Sequence, residues 1–515
     1  MIKKSLLWVD DEVELLQPHV LFLEKKGYKL DTCHNGIDAI SLVKENDYDL
    51  VLLDENMPGM SGIEVLEIIK ERKPSLPVVM VTKSEQENIM EEAIGSKITD
   101  YLIKPVNPNQ ILITLKKIFE STKFVTEKTI DSYRKSFQEL NTKILNANSV
   151  LEWKKIYKKI LYWELELDEI SSTELHEIFS FQKNEANNGF SKFIQNNYVK
   201  MIADDKNEIL SNTVFKRLVV PKIKKNKRTL LILIDNLRYD QYKVILPKIL
   251  THFKLIEEIP YLSILPTTTQ YSRNSFFSGM LPIEMFKNHP EWWKNDNETG
   301  GKNLFEKDFL ENQIKNLNID IKTSYTKINK PEQSQTFIDF LNNENIYDLS
   351  VLVYNFVDMI SHSKTEMEVI KELASTDKAY RSLTKSWFLN SSLYEIIKLA
   401  SEKNYNLIIT TDHGTINVET PSKIIGDRDS SSNIRYKTGR RLKSDDKNVY
   451  KENQPNKIGL PSINLSSSYV FAKSNQYLIY PSNYNHFVKY YKNTYQHGGI
   501  SLQEMFIPFS FFSPK

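Results

Sequence analysis

The first 120 residues alternate short, unbroken apolar runs with stretches in which apolar side chains recur every three or four positions. Residues 6–9 read as a buried strand, and 12–26 as a helix with Leu15, Leu16, Val20 and Leu23 along one side. Further strands are predicted over 49–53, 77–81 and 101–103, with a helix over 62–71 between them. A repeated strand–helix rhythm predicts a parallel sheet wrapped by helices, with chemistry gathered at the carboxyl ends of its strands.

From about 124 to 218 the pattern changes. Glycine and proline nearly vanish, and Leu151, Ile156, Ile160 and Leu167 recur at helical spacing. Breaks at 146–149 and 187–189 predict several helices rather than one rod. Beyond them the buried-strand pattern returns at 230–234, 349–356 and 406–411, with a last apolar segment over 504–512. The chain is therefore expected to hold three parts: 1–122, a helical bundle linker over 123–220, and a second α/β domain over 221–515 with insertions at 280–345 and 415–495.

Composition narrows this picture only in places. A 40% apolar fraction supports real cores, and 68 Lys and Arg nearly balance 66 Asp and Glu, so net charge predicts neither nucleic-acid nor membrane binding. The basic run 221–228 reads as a solvated connector, and no helix-turn-helix pattern follows it. Cys33 is the single cysteine, which suits a reducing compartment. The short, quickly acidic N-terminus does not fit a signal peptide, and no apolar run approaches the roughly 18 residues a membrane helix needs. The expectation is a cytoplasmic protein without membrane insertion.

Candidate chemistry enters at the strand ends. Asp10 and Asp11 follow the first strand, Asp54 the next clear apolar run, and Thr82 and Lys104 the last two. Carboxylates converging on one rim repel each other unless a cation sits among them, and oxygen-only ligands suit Mg²⁺. Asp54 is then the candidate nucleophile toward a phosphoryl donor, with Lys104 and the Thr82 hydroxyl placed to contact the incoming group. Lys104-Pro105 is expected to be cis. The segments VDDE (9–12), LLDENMPGMSG (52–62), VT (81–82) and YLIKP (101–105) resemble the receiver domain of response regulators, a flavodoxin-like fold, across residues 1–120. The resemblance implies that Asp54 is the phosphoacceptor, that Asp10 and Asp11 help bind Mg²⁺ with it, and that Tyr101 is the aromatic that turns inward on activation.

In the C-terminal part, Asp235 closes one strand, and Thr267, Thr268 and Thr269 precede a helix start at 272–277. A hydroxyl at a helix N-terminus suits a nucleophile that receives a phosphoryl group. Asp358 and His362 lie four apart, Asp412-His413-Gly414 follows another strand, and His497-Gly498-Gly499 lies near the end. Six carboxylate and imidazole ligands without cysteine suit Zn²⁺, with Mn²⁺ second.

The segments ILIDNLRYD (232–240), LPTTTQYSR (265–273), the Asp358–His362 pair, TTDHG (410–414) and HGG (497–499) resemble the PglZ branch of the alkaline phosphatase superfamily. That resemblance implies two zinc ions, one held by Asp358, His362 and His497, the other by Asp235, Thr269, Asp412 and His413. Thr269 is the implied nucleophile, with Thr268 as the alternative register. Arg273 is a candidate phosphate contact, and Arg428, Arg435, Arg440 and Arg441 offer further charge.

The order of receiver, helical bundle and phosphatase-like domain resembles response regulators linked to type IX protein secretion. It implies a sensor histidine kinase partner and a homodimer on phosphorylation. The expected function is a phosphorylation-controlled zinc phosphodiesterase acting on nucleotide or oligonucleotide substrates, linear or cyclic. The competing expectation is a non-catalytic scaffold that binds a sigma factor or secretion component when Asp54 is phosphorylated.

Overall fold

The computed structural model describes residues 4–83, 98–204, 207–225, 227–343, 347–355, 357, 372, 374–426, 433–444, 447–462, 464 and 466–515, with the backbone alone for 121–125 and 331. The chain divides into two compact units, Met1–Asp131 and Ser132–Lys515.

In the first unit, strands β1 (Ser5–Val9), β2 (Lys29–Cys33), β3 (Leu50–Asp54), β4 (Val78–Thr82) and β5 (Asp100–Ile103) form a parallel sheet in the order β2-β1-β3-β4-β5. Successive side chains point to opposite faces. Leu7, Val9, Val51 and Leu53 therefore enter one core with helices α2 (Gly36–Glu45) and α3 (Gly62–Arg72). Leu6, Trp8, Leu50 and Leu52 enter the other, with α1 (Gln17–Lys25) and the first turns of α4 (Pro108–Asn146).

Two readings of this region are corrected. The helix expected over 12–26 begins as a 3-10 turn, Val13–Leu16, and becomes α-helical only at Gln17. Pro18 accounts for this, because its fixed φ and missing N–H belong in a helix's first turn. Leu15 consequently lies 73% exposed rather than on the core face. Strand β2 escaped notice because its sequence, KLDTC, mixes polar and apolar residues.

The second unit opens with the end of α4, then α5 (Val150–Leu167) and α6 (Thr173–Ala203). The break at 146–149 is present, where Ser149 caps α5 by accepting from Glu152 N–H. Leu151 sits 61% exposed while Trp153, Ile156, Ile160 and Leu167 turn inward. The break expected at 187–189 does not occur. Helix α6 runs straight through, and Gly189 within it lets Trp153 approach closely: an added Cβ there would lie 2.9 Å from the indole. The interruption comes instead at 168–172.

The main sheet of this unit has the order β7-β19-β10-β6-β9-β8. Its strands are β6 (Thr229–Ile234), β7 (Phe253–Leu262), β8 (Thr323–Ile328), β9 (Leu349–Tyr354), β10 (Asn406–Thr410) and β19 (Phe506–Pro514). Strands β6, β8, β9 and β10 run parallel, and β19 pairs antiparallel with both β10 and β7. The insertion between β10 and β19 carries short strands β11 (Ile416–Val418), β12 (Thr420–Ile425), β13 (Tyr436–Arg440), β14 (Lys443–Ser444), β15 (Val449–Glu452), β16 (Ser467–Ala472), β17 (Gln476–Ile479) and β18 (Thr494–Gln496). They form small sheets with apolar clusters of their own. No helix among the described residues is long and apolar enough to cross a membrane.

Candidate functional site

At the carboxyl edge of the first sheet, Asp10, Asp11 and Asp54 offer oxygen atoms all within 4.8 Å of one another. Asp10 and Asp54 are buried, while Asp11 is exposed. Lys104 Nζ lies 2.7 Å from Asp10 and 2.8 Å from Asp54, and its peptide bond to Pro105 is cis. Burial raises the Asp54 carboxyl above the usual range, with a further push from Asp10, and this outweighs Lys104. One Asp54 oxygen, Oδ1, has no hydrogen-bond partner. A buried acceptor without a donor, set between like charges, fits a divalent cation or an incoming phosphoryl group.

Thr82 is buried at the end of β4 and shares a hydrogen bond with the half-buried Tyr101. Gly62 is required where α3 starts, since a Cβ would meet the Asp54 carbonyl at 2.3 Å. Asp10, Asp11, Asp54 and Lys104 are thus gathered at the carboxyl edge, with Thr82 closing β4 and Tyr101 two positions before the end of β5.

The second site is built by adjacent parallel strands. Thr410 is in register with Leu233, so two residues past that pair Asp412 stands beside Asp235. Asp235, Asp412 and His413 form a fully buried cluster whose ligand atoms lie within 4.8 Å of one another. His413 Nε2 is 3.9 Å from Asp235 and 3.7 Å from Asp412. Asp412 Oδ1 accepts from the backbone N–H of Asn236 (3.2 Å) and His413 (3.1 Å), while Oδ2 has no hydrogen-bond partner.

Burial and the neighbouring Asp235 charge push Asp412 well above the usual range. Burial acts in the same direction on Asp235, but Arg273 and His413 hold it below that range. Two carboxylates and an imidazole crowded together, with one buried oxygen lacking a hydrogen bond and its nearest fixed cation, Arg273, at 4.0 Å, fit a dication.

Helix α7 (Thr269–Ser278) brings its first residue to this cluster. Thr269 Oγ1 lies 3.2 Å from Asp235 Oδ1 and 3.1 Å from His413 Nε2, and the residue is half-buried and so reachable. The three consecutive threonines do different things. Thr267 joins the turn after His497, accepting from Gly498 N–H and donating to Gly499 C=O, each at 3.0 Å. Thr268 is the buried, extended residue from which the helix starts. Thr269 alone of the three has its hydroxyl against the carboxylates.

His497 is half-buried and stacks on His413, with ring centroids 4.4 Å apart. Gly498, at φ +125°, has no room for a Cβ beside Tyr436 (2.8 Å) and Thr268 (3.2 Å). Asp358, His362 and Arg428 lie outside the described residues.

Arg273, expected as a phosphate contact, is placed differently. It is 1% exposed, donates to Asp235 Oδ2 at 2.6 Å and to Asn355 at 3.2 Å, and pairs with buried Glu306. It stands behind Asp235 rather than in an open cleft. Arg435 is likewise fully buried against Glu504 (2.6 Å), whose other carboxylate oxygen accepts from Gly499 N–H at 2.9 Å. Glu306 and Glu504 carried no sequence signal, since each is a lone acid far along the chain from the arginine it holds. In the basic connector, Lys222 and Lys225 pair with Glu257 (2.5 Å) and Asp320 (2.6 Å) of the same unit.

Comparison with known proteins follows the same division. The family model of the response regulator receiver domain matches residues 6–116, that of the PorX response regulator linker domain 123–202, and that of the BREX system PglZ alkaline phosphatase-like domain 214–511. Among curated proteins, transcriptional regulatory protein ResD of Bacillus subtilis is 35% identical over 114 residues, which is 22% of this chain and 47% of ResD. Transcriptional regulatory protein SrrA of Staphylococcus aureus is 30% identical over 125 residues, 24% of this chain and 52% of SrrA. The chain thus spans about half the length of these relatives.

Among solved structures, a CheY-like receiver domain protein of Methanospirillum hungatei is 26% identical, covering 23% of this chain and 96% of its own, with a TM-score of 0.23. A two-component response regulator of Clostridium difficile is 28% identical, covering 22% and 95%, with a TM-score of 0.22. Receiver, PorX linker and PglZ domain in this order are the PorX-type architecture of a response regulator.

Proposed function

The chain belongs to the PglZ alkaline phosphatase-like family, carried here behind a receiver domain, and from that premise we propose that it is a response regulator whose output is a zinc phosphodiesterase. The observation that carries the reading is Thr269 Oγ1 at 3.2 Å from Asp235 and 3.1 Å from His413, at the first turn of α7. A nucleophile, a cluster of N/O ligands and the N–H groups of a helix N-terminus share one point, as phosphoryl transfer requires.

Asp235, Asp412, His413 and Thr269 would hold one zinc ion, and His497 would serve a second with Asp358 and His362. When bound, the pair would supply positive charge that stabilises the charge developing on the transferring phosphoryl group. Thr269 directs its hydroxyl hydrogen toward Asp235, which leaves oxygen lone pairs for the incoming phosphorus. The Thr269 Oγ–P bond forms as the bond from phosphorus to the leaving alcohol breaks, and that alcohol departs protonated. Water then cleaves the phosphothreonine and regenerates the hydroxyl. Arg273 fixes the Asp235 carboxylate, and Gly498 leaves space beside Thr268. The substrates are phosphodiesters, including linear or cyclic oligonucleotides.

In the receiver, Asp54 takes a phosphoryl group from a sensor histidine kinase with Mg²⁺ at Asp10, Asp11 and Asp54. Thr82 and Lys104 contact that group, and Tyr101 responds to it. Phosphorylation promotes a cytoplasmic homodimer and controls the output domain, in a pathway serving type IX secretion. The three functional parts are 1–122, 123–220 and 221–515.

The test is turnover of bis-p-nitrophenyl phosphate and of p-nitrophenyl phosphate by zinc-loaded, Asp54-phosphorylated protein. Diester hydrolysis above monoester hydrolysis, abolished by chelator and restored by zinc, is expected. Absence of turnover on both, extended to oligonucleotides, refutes the reading.

A further inference from the structure

Helix α6 carries Lys183, Asn187, Ser191 and Tyr198 at intervals of four, four and seven residues, so one face presents a polar stripe. Asn187, Ser191 and Tyr198 are each 1% exposed. A helix packed on a domain ordinarily buries an apolar stripe. Here Asn187, Ser191 and Tyr198 each bond to the root of a segment that carries a candidate catalytic or ligating residue, and Lys183 reaches two such segments through Asp377.

The Tyr198 hydroxyl accepts from Leu265 N–H at 2.7 Å, four residues before Thr269. Ser191 donates to the Ile500 carbonyl (3.0 Å) and accepts from Ser474 N–H (3.2 Å), and Asn187 Oδ1 accepts from Leu502 N–H (2.8 Å). These bonds hold the chain three to five residues after His497. Lys183 reaches Asp377 at 2.8 Å, and the other Asp377 oxygen takes Arg238 (2.6 Å) and the Tyr495 hydroxyl (2.8 Å). Arg238 is three residues after Asp235, and Tyr495 two before His497.

We propose that this buried stripe makes Tyr198, Ser191 and Asn187 positioning residues for the hydrolytic site, Tyr198 through the Thr269 segment and Ser191 and Asn187 through the His497 segment. The proposal rests on the hydrolase reading of Thr269 and the ligand reading of His497. The Leu265 N–H lies in a loop and the Leu502 N–H opens the short helix Leu502–Met505, while Ile500 is tied by a single β-bridge to Lys473, its carbonyl shared between Ser474 N–H (2.9 Å) and Ser191; the added bonds come from a rigid helix. Without those bonds a loop can settle ångströms away, and displacement by about 1 Å is enough to cost catalysis about a hundredfold. Groups that orient metal ligands from outside typically tune affinity or activity about 10- to 100-fold.

The experiment compares full-length wild type with Tyr198→Phe, Ser191→Ala and Ser191→Thr. It records kcat and KM on bis-p-nitrophenyl phosphate, zinc affinity by calorimetry, and the urea midpoint. Tyr198→Phe is expected to lower kcat about tenfold with KM unchanged. Ser191→Ala is expected to weaken the zinc ion held through His497 about tenfold, and Ser191→Thr, which keeps a hydroxyl, to restore it. Wild-type kcat and zinc affinity in both Tyr198→Phe and Ser191→Ala overturn the proposal, as do losses that track the urea midpoint without rescue by threonine. If wild type itself turns over nothing, the hydrolase reading has failed. Zinc affinity then decides alone: a loss in Ser191→Ala rescued by threonine upholds the stripe, and unchanged affinity overturns it.

Discussion

Replacing Arg273 by methionine keeps most of the side chain's length and removes its charge from between Asp235 and Glu306. Glu306 retains Lys327 at 2.9 Å and the Tyr325 hydroxyl at 2.6 Å, so Asp235 is the carboxylate left stranded. At 2.6 Å the Arg273–Asp235 attraction is about 6 kcal/mol for an effective dielectric of 20. Desolvation of the pair cancels part of this, and broken buried pairs typically cost about 3–5 kcal/mol. The metal-free variant should therefore unfold about 3–5 kcal/mol more easily than wild type in urea, followed by near-ultraviolet circular dichroism. Zinc should then stabilise the variant by more than it stabilises wild type, because a dication at Asp235 no longer meets the guanidinium charge. Stability of the metal-free variant within about 1 kcal/mol of wild type would refute the reasoning, as would equal stabilisation of both by zinc.

Lys437 lies 4% exposed on β13, with its ammonium 5.0 Å from the centre of the Tyr480 ring, and burial lowers its pKa to about 8. Below that value both folded and unfolded states carry the proton. Between about 8 and 10.5 only the unfolded state does, so stability should rise with pH across this window by up to about 3 kcal/mol. Lys437→Met should be more stable than wild type at pH 7 and lose that rise; parallel urea midpoints for the two proteins from pH 7 to 10.5 would count against it. In the receiver, Asp54→Asn should abolish labelling by a small phosphoryl donor, and Lys104→Met should slow it at least tenfold at saturating Mg²⁺, read by phosphate-affinity electrophoresis. Labelling that persists in Asp54→Asn would place the acceptor elsewhere.

The candidate sites were legible wherever a functional side chain sits one or two residues beyond a buried strand. Asp10, Asp235 and Asp412 all do, Asp54 is the last residue of its strand, and parallel pairing carries such positions to one edge. The Thr268 and Thr269 registers could not be separated on the page, because their difference is one residue's turn into a helix. Arg273 was misdirected for a related reason: a basic residue one turn past a nucleophile looks outward in sequence, while its partners Asp235 and Glu306 stand 38 and 33 positions away. The polar stripe on α6 was hidden by the same distance. Asn187 read as a helix breaker, and the Leu502 N–H that explains it lies 315 residues further on. Pairs of that kind have no period, so only the folded chain brings them together.

The central claim is that Thr269, held against Asp235 and His413, is a phosphoryl-accepting nucleophile. It is tested most directly by comparing Thr269→Ala with Thr268→Ala in zinc-loaded, Asp54-phosphorylated protein hydrolysing bis-p-nitrophenyl phosphate. Thr269→Ala should lose at least about a thousandfold in kcat while binding zinc, and Thr268→Ala should keep turnover within about tenfold of wild type. Turnover that survives in Thr269→Ala, or is lost only in Thr268→Ala, would contradict the assignment.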